Sequence, residues 1–162
     1  MSNFSDKSYK VLLTLHPDLQ KIMILSLQRS CVDFGLHEGA RTVPVQQAYY
    51  MQGKSSINPA NYEDYRDLAK VAKHIVLPDV VEFSKSRAVD LHSSESYNGK
   101  SLAWDTNHLS YIAGIIQACA KELYNKGEIR HIIRWGGDWD SDGVIGFDHK
   151  LKDFPHHELI LP

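Results

Sequence analysis

The sequence has no strong excess of charge of either sign and no long apolar run. Its 18 lysine and arginine residues nearly balance 20 aspartate and glutamate residues, for a formal net charge of −2. This balance offers no basic surface for nucleic acid, so no nucleic-acid partner is expected. No segment is apolar enough to span a bilayer, and the first seven residues (MSNFSDK) lack the apolar region of a secretory signal. We therefore expect no membrane insertion, and a cytoplasmic location until another factor releases the protein.

Cysteine is scarce, and repeats, low-complexity segments and interdomain linkers are lacking. Cys31 and Cys119 both lie in apolar, helix-like patterns. We therefore predict two buried thiols rather than a disulfide or a metal pair. A length of 162 residues suits one hydrophobic core, which predicts a single domain over residues 1–162. Nine histidines justify a search for a metal site, although most of them are expected to be ordinary surface residues.

Several segments have the spacing of helices. Residues 17–30 begin with a proline and place apolar residues on one helical face. Residues 107–126 form the clearest apolar stripe, which ends at Gly127. Shorter helices are predicted from Pro44 to Gly53 and, with a charged surface, within residues 62–73.

Other segments are short and apolar or alternate apolar with polar residues, which indicates strands. They are residues 32–37, 74–77, 87–92, 129–135 and 159–161. Helices come mostly early and mid-chain, whereas strands cluster around the late helix. This order predicts an α+β fold rather than a regular βαβ alternation.

Two places in the sequence suggest metal chemistry. Residues 153–159 (DFPHHEL) place an acid three residues ahead of a histidine, an arrangement that can activate water on a metal. On these residues alone, a metal site and a polar turn are equally good interpretations. Asp90 lies inside an apolar strand, where a carboxylate needs a partner. That partner is either a metal or a buried arginine, Arg87 or Arg41, and physical grounds alone slightly favour the ion pair.

An ordered set of short segments resembles one known family across almost the whole chain. The segments are residues 13–20 (LTLHPDLQ), 32–34 (VDF), 38–42 (EGART) with Gln46, 53–55 (GKS), 86–91 (SRAVDL), 104–105 (WD), 134–139 (RWGGDW) and 153–159 (DFPHHEL). The chain resembles the zinc peptidases that include the L-alanyl-D-glutamate endopeptidases of phage endolysins and the D-Ala-D-Ala carboxypeptidases. The resemblance implies a Hedgehog/DD-peptidase-like domain, in which helices pack on a small antiparallel sheet.

The resemblance also implies roles for individual residues. Asp90 and His156 correspond to two zinc ligands, and Asp153 to the general base that acts on the zinc-bound water. Arg41 corresponds to an arginine near the substrate carbonyl. Gln46 and Ser55 correspond to residues that line the substrate cleft.

The first zinc ligand of the family departs from the expected spacing. That ligand is commonly a histidine seven residues before the aspartate, where this chain has Phe83. The nearest suitable upstream histidine is His74, sixteen residues before Asp90. We favour His74 as the ligand, with residues 75–84 as an inserted loop or hairpin. Otherwise the ligand is lost, with His92 a poorer substitute and Glu82 a remote one.

The neighbours of His156 have separate predicted roles. His157 should point to the opposite strand face, either behind a ligand or at the surface, whereas Glu158 could orient a ligand. His16, His37, His108, His131 and His149 are interpreted as structural or solvated.

The resulting functional hypothesis is a zinc-dependent phage endolysin. Its partner would be the stem peptide of peptidoglycan, cut at the L-alanyl-D-glutamate bond by a monomeric enzyme. A D-Ala-D-Ala carboxypeptidase or dipeptidase is the alternative enzyme. A non-catalytic zinc-binding or wall-binding relative is the third hypothesis, and the spacing at His74 gives it weight.

Overall fold

A four-stranded antiparallel sheet organises residues 3–162, the part of the chain that the computed structural model describes. Its strands are β1 (Phe34–Glu38), β2 (Ala88–Ser93), β5 (Ile132–Trp135) and β6 (His156–Ile160), in the spatial order β1-β2-β6-β5. A small hairpin joins β3 (Ser96–Tyr97) to β4 (Lys100–Ser101). Residues 1 and 2 of the predicted domain lie outside the described residues, so the domain range stays a prediction.

Within the described residues, five α-helices accompany the sheet. They are α1 (Asp6–Leu12), α2 (Pro17–Arg29), α3 (Val43–Met51), α4 (Tyr65–Val71) and α5 (Thr106–Asn125). Short 3₁₀ turns occur at Pro59–Asn61 and Val81–Phe83. The predicted α+β class is confirmed. Within residues 3–162, none of the helices is long and apolar enough to cross a membrane.

The main core lies between one face of the sheet and the two longest helices. Both helices begin with a cap: the Asp105 carboxylate accepts a hydrogen bond from a backbone N–H in the first turn of α5, and His16 does the same for α2. Alternate residues of the central strands, among them Val89, Leu91 and Leu159, are buried against apolar residues of α2 and α5. The intervening residues of β2 and β6 therefore point to the opposite face of the sheet.

A second, smaller core lies beneath α4 and the segment that follows it. It contains Leu68, Ala69, Ala72, Ile75 and Phe83. The predicted strand at residues 74–77 is wrong. Ile75 forms only an isolated bridge to Arg41, and Pro78, which has no N–H to donate, follows within three residues.

The segment between α4 and β2 is a loop closed at its base. The Arg87 N–H donates to the Lys73 carbonyl at 2.9 Å, and the Leu77 N–H donates to the Phe83 carbonyl at 2.8 Å. Residues 75–84 thus form a turn and a 3₁₀ segment rather than a hairpin. Phe83 is 1% exposed and anchors this loop in the second core.

The structure differs from the sequence analysis in three further respects. The helix α1 was not predicted, because only Ser8 and Leu12 of its seven residues are buried and its apolar stripe is therefore weak. Cys31 is exposed rather than buried, because α2 ends at Arg29 and the helical periodicity does not continue to it, whereas Cys119 is buried as predicted. The last strand begins at His156, earlier than predicted.

Candidate metal centre

Three side chains converge on the face of the sheet opposite the main core. His74 Nε2 lies 3.3 Å from both His156 Nδ1 and Asp90 Oδ1, and His156 Nδ1 lies 3.1 Å from Asp90 Oδ1. Three ligand atoms bound at about 2.1 Å to a tetrahedral ion are separated by about 3.4 Å. The triangle of donor atoms therefore fits one small ion, and nitrogen and carboxylate oxygen are ligands that zinc accepts.

Strand pairing brings two of these residues together. Asp90 on β2 is directly opposite His156 on β6, and the antiparallel register places both side chains on the same face. The alternative partners proposed for Asp90 are engaged elsewhere. The Arg87 guanidinium donates to the Ala69 carbonyl, and that of Arg41 pairs with Glu38.

The third residue comes from the closed loop that precedes β2. His74 follows α4, and its carbonyl accepts a hydrogen bond from the Arg41 N–H at 2.8 Å. Its Nδ1 donates to the Gly39 carbonyl at 2.7 Å, which directs Nε2 towards Asp90 and His156. Thus His74 reaches the cluster despite its unusual distance along the sequence. Phe83, at the usual spacing, is buried in the second core.

Both histidines are oriented through the ring nitrogen that faces away from the cluster. His156 Nε2 donates to Glu158 Oε2 at 3.0 Å, and Arg134 of β5 forms an ion pair with the same carboxylate. Such outer hydrogen bonds fix the ring and increase its basicity as a ligand. Glu158 therefore occupies the orienting position predicted for it, with Arg134 as a partner that was not predicted.

The electrostatics of the cluster favour a cation. Burial alone would lower the pKa of His156, but its hydrogen bonds to Asp90 and Glu158 outweigh burial and raise the pKa to about 9. Burial likewise opposes ionisation of Asp90, but His74 and His156 hold its pKa well below the usual range. The metal-free cluster therefore contains a carboxylate beside a protonated imidazole.

Asp153 lies in the turn that enters β6 and lines the same cleft as the cluster. Its carbonyl accepts a hydrogen bond from the His156 N–H at 3.0 Å, and its own N–H donates to the Gly136 carbonyl at 2.9 Å. A Cβ at Gly136 would lie 2.3 Å from the Asp153 carbonyl oxygen, so this approach needs glycine. Burial raises the pKa of Asp153, and this effect outweighs the lowering by the nearby His156, His74 and Arg41.

Arg41 belongs to a hydrogen-bonded network that lines the same cleft. It donates from Nη1 to Gln46 Oε1 at 2.9 Å, forms an ion pair with Glu38, and stacks on Tyr49 with its guanidinium carbon 4.6 Å from the ring centroid. Gln46 Nε2 donates to Ser55 Oγ at 2.9 Å. The amide of buried Gln46 is thus occupied by protein groups, which suits it to positioning Arg41 and Ser55.

The cleft that joins these residues has a volume of about 580 Å³. Trp139 forms part of its wall, and its ring centroid lies 5.4 Å from that of His156. The two substitute ligands lie apart from the cluster: the ring of His92 packs at Gly35 and Trp104, and Glu82 is exposed on the closed loop.

His157 points away from the cluster, as predicted, but it is fully buried rather than at the surface. Its ring stacks on Trp135 at 6.4 Å between centroids, and Nδ1 donates to the Pro155 carbonyl at 3.2 Å. Burial lowers the pKa of His157 to about 3. It is therefore a neutral core residue.

Comparisons with known proteins agree on one family. The family model described as phage L-alanyl-D-glutamate peptidase matches residues 1–160. The L-alanyl-D-glutamate peptidase of Escherichia phage T5 is 28% identical over 159 residues, which cover 97% of this chain and 97% of that protein. The crystal structure of the Serratia marcescens L-Ala D-Glu endopeptidase ChiX superposes with a TM-score of 0.63 at 24% identity, covering 98% of this chain and 90% of the other, and supports the fold.

Proposed function

The chain belongs to the phage L-alanyl-D-glutamate peptidase family, and from this premise we propose that it hydrolyses the L-alanyl-D-glutamate bond of peptidoglycan with zinc as its cofactor. The bond is the one in the family description, rather than the D-Ala-D-Ala bond of the alternative hypothesis. The observation that carries the zinc assignment is the triangle of His74, Asp90 and His156. The position of His74 in that triangle supports a catalytic protein over a non-catalytic relative.

The proposed roles follow from the groups around the cleft. When bound by His74, Asp90 and His156, zinc would polarise the scissile carbonyl and acidify water. Asp153 then takes a proton from the attacking water and delivers it to the leaving amine. Its burial raises its pKa and makes it a stronger base than an exposed carboxylate.

Arg41 would stabilise negative charge on the carbonyl oxygen, because it is held at the cleft wall by Glu38 and Gln46. Gln46 and Ser55 would maintain the substrate-binding side of the cleft. We further propose that the enzyme acts as a monomer on the stem peptide. In this proposal it is made in the host cytoplasm and reaches the wall after release.

Digestion of purified peptidoglycan tests the proposed reaction. The expected products carry a new C-terminal L-alanine and a new N-terminal D-glutamate, identified by mass spectrometry of the fragments. Chelation should abolish their formation and added zinc should restore it. Release of terminal D-alanine would instead indicate the carboxypeptidase, and wall binding without cleavage would indicate a non-catalytic protein.

Zinc binding is expected to release about one proton per ion at pH 7.5. His156, with a pKa of about 9, is protonated at this pH and must lose the Nδ1 proton that faces Asp90 before it can bind a metal. The apparent affinity should therefore rise about tenfold per pH unit as the pH approaches 9. Calorimetric titration in two buffers of different ionisation enthalpy measures the released protons.

The control for this measurement is Glu158→Gln. Glu158 stabilises the protonated imidazole, so its loss should lower the pKa of His156 and reduce the number of protons released at pH 7.5. Zinc binding by the unmodified chain without proton release would show that His156 is neutral in the metal-free protein.

A further inference from the structure

A second cavity lies beside the cleft and is separated from it by one row of backbone. Its volume is about 700 Å³, compared with about 580 Å³ for the cleft. The row consists of Lys73, Arg87 and Leu159: the Arg87 N–H donates to the Lys73 carbonyl, and the Leu159 N–H donates to the Arg87 carbonyl. Lys73 lines both cavities, so the second cavity adjoins the candidate active site at this residue.

Basic side chains dominate the wall of this cavity. They are His16, Lys70, Lys73, Lys85, Arg87 and His131. Among residues 3–162, Glu82 is the one acidic residue that lines the cavity with them. Four permanent cations therefore face one carboxylate, although the whole chain has a net charge of −2. A cavity lined mainly by positive charge has a positive electrostatic potential, which attracts anions.

Two of these cations donate hydrogen bonds to backbone carbonyls rather than to carboxylates. Lys85 Nζ donates to the Leu13 carbonyl at 2.7 Å, and Arg87 donates to the Ala69 carbonyl. Both partners are neutral, and each cation retains further N–H donors. Lys70 does pair with Asp67, but these two side chains are 61% and 62% exposed, so water screens the pair strongly.

Two imidazoles complete the wall. His16 Nδ1 accepts a hydrogen bond from the Asp18 N–H at 3.1 Å, which leaves the proton of the neutral ring on Nε2. His131 Nδ1 donates to Asp18 Oδ2 at 2.8 Å, and the same carboxylate oxygen accepts from the Arg130 N–H at 2.9 Å. The Asp18 carboxylate is thus occupied by hydrogen bonds from His131 and from the Arg130 N–H. The two rings lie 4.8 Å apart between centroids.

We propose that this basic cavity is a carboxylate-binding subsite for the stem peptide whose L-alanyl-D-glutamate bond lies in the cleft. The inference rests on the proposed function. The stem peptide continues beyond the glutamate and ends in a free carboxylate. That carboxylate lies several residues from the cleaved bond, far enough along the chain to reach a cavity beyond the row of backbone. Lys73 borders both the cleft and the cavity, at the point where the peptide would pass from one to the other.

The kinetic test uses the full chain and two synthetic stem peptides, one with free carboxylates and one with carboxamides in their place. The variant Lys70→Gln/Lys85→Gln removes two cations at the cavity rim, and Lys10→Gln/Lys121→Gln removes two exposed cations elsewhere.

For the carboxylate peptide, Lys70→Gln/Lys85→Gln should raise KM about three- to tenfold and leave kcat within about twofold of the unmodified enzyme. This rise in KM is the size expected from losing two partly exposed ion pairs with the substrate. The carboxamide peptide should show no difference between the variants, and the control should behave as the unmodified chain. An unchanged KM, or an equal rise for both peptides, overturns the subsite.

A binding measurement separates this proposal from the proposed function. The metal-free chain is titrated with the carboxylate peptide, and the imidazole resonances of His16 and His131 are followed by NMR. Saturable shifts that need several-fold more peptide in Lys70→Gln/Lys85→Gln support the subsite even if the unmodified enzyme cleaves neither peptide. The absence of such shifts overturns it, as does a response to inorganic phosphate with none to the carboxylate peptide.

Discussion

Replacing Asp153 by asparagine is expected to lower kcat for wall cleavage about 10²- to 10⁴-fold, the range that a general base contributes, with zinc still bound. Asp153 lines the cleft but is not one of the three residues that form the donor triangle. Asparagine keeps the shape of the side chain but cannot accept the proton. Turnover of the carboxylate peptide and zinc content of the purified variant measure the two effects.

The control for Asp153→Asn is Asp79→Asn, which neutralises an exposed carboxylate in the closed loop and should leave kcat unchanged. The pH profile supplies a second readout. Activity of the unmodified enzyme should fall as the pH drops through the raised pKa of Asp153, since protonation removes the base. At saturating zinc, where loss of the metal does not limit activity, this acid limb should disappear in the variant. A loss of less than about threefold in a folded, zinc-loaded variant would move the base to another residue.

Removal of His74 should abolish activity by a different route, the loss of the metal. His74→Ala deletes one corner of the donor triangle, and the zinc affinity should fall by more than about 100-fold, because loss of a group that merely orients a ligand already costs 10- to 100-fold. A ligand at 100 times its dissociation constant stabilises a folded protein by about 2.7 kcal/mol. The increase in Tm on adding zinc should therefore vanish in this variant.

Two further variants make the test of His74 specific. His92→Ala removes another histidine of the same sheet face and should retain both zinc and activity. Phe83→His, introduced together with His74→Ala, supplies a histidine at the usual spacing but should not restore zinc binding, because position 83 is buried in the second core. If His92→Ala lost zinc while His74→Ala kept it, the assignment of the third ligand would be wrong.

Long periodic segments were the most predictable part of the fold. α5 carries a broad apolar stripe between a capping Asp105 and Gly127, so local signals and tertiary burial agree. α1 has neither a broad stripe nor many buried residues, and it is held largely by tertiary contacts such as the bond from the Leu36 N–H to Ser8 Oγ. Cys31 was misjudged because a periodic pattern does not reveal where its helix ends.

The candidate site was only partly accessible from the sequence. Resemblance pointed to Asp90 and His156, but their mutual distance depends on the register between β2 and β6, which no local pattern determines. The Arg134–Glu158 ion pair could not be predicted for the same reason, because it depends on the register that places the two residues directly opposite each other on β5 and β6. His74 could be proposed from its residue type, but its place in the triangle depends on contacts that only the folded loop makes.

The closed base of the loop makes the metal centre insensitive to the length of the chain between its ligands. The Arg87–Lys73 hydrogen bond joins the two ends of the loop, so residues added within it lengthen a ring without moving His74 relative to Asp90. The entropy of closing a flexible ring grows only with the logarithm of its length, and each doubling costs about 0.6 kcal/mol. Evolution can therefore vary this loop at little thermodynamic cost, and a search that fixes the number of residues between the two ligands will overlook relatives with an intact centre.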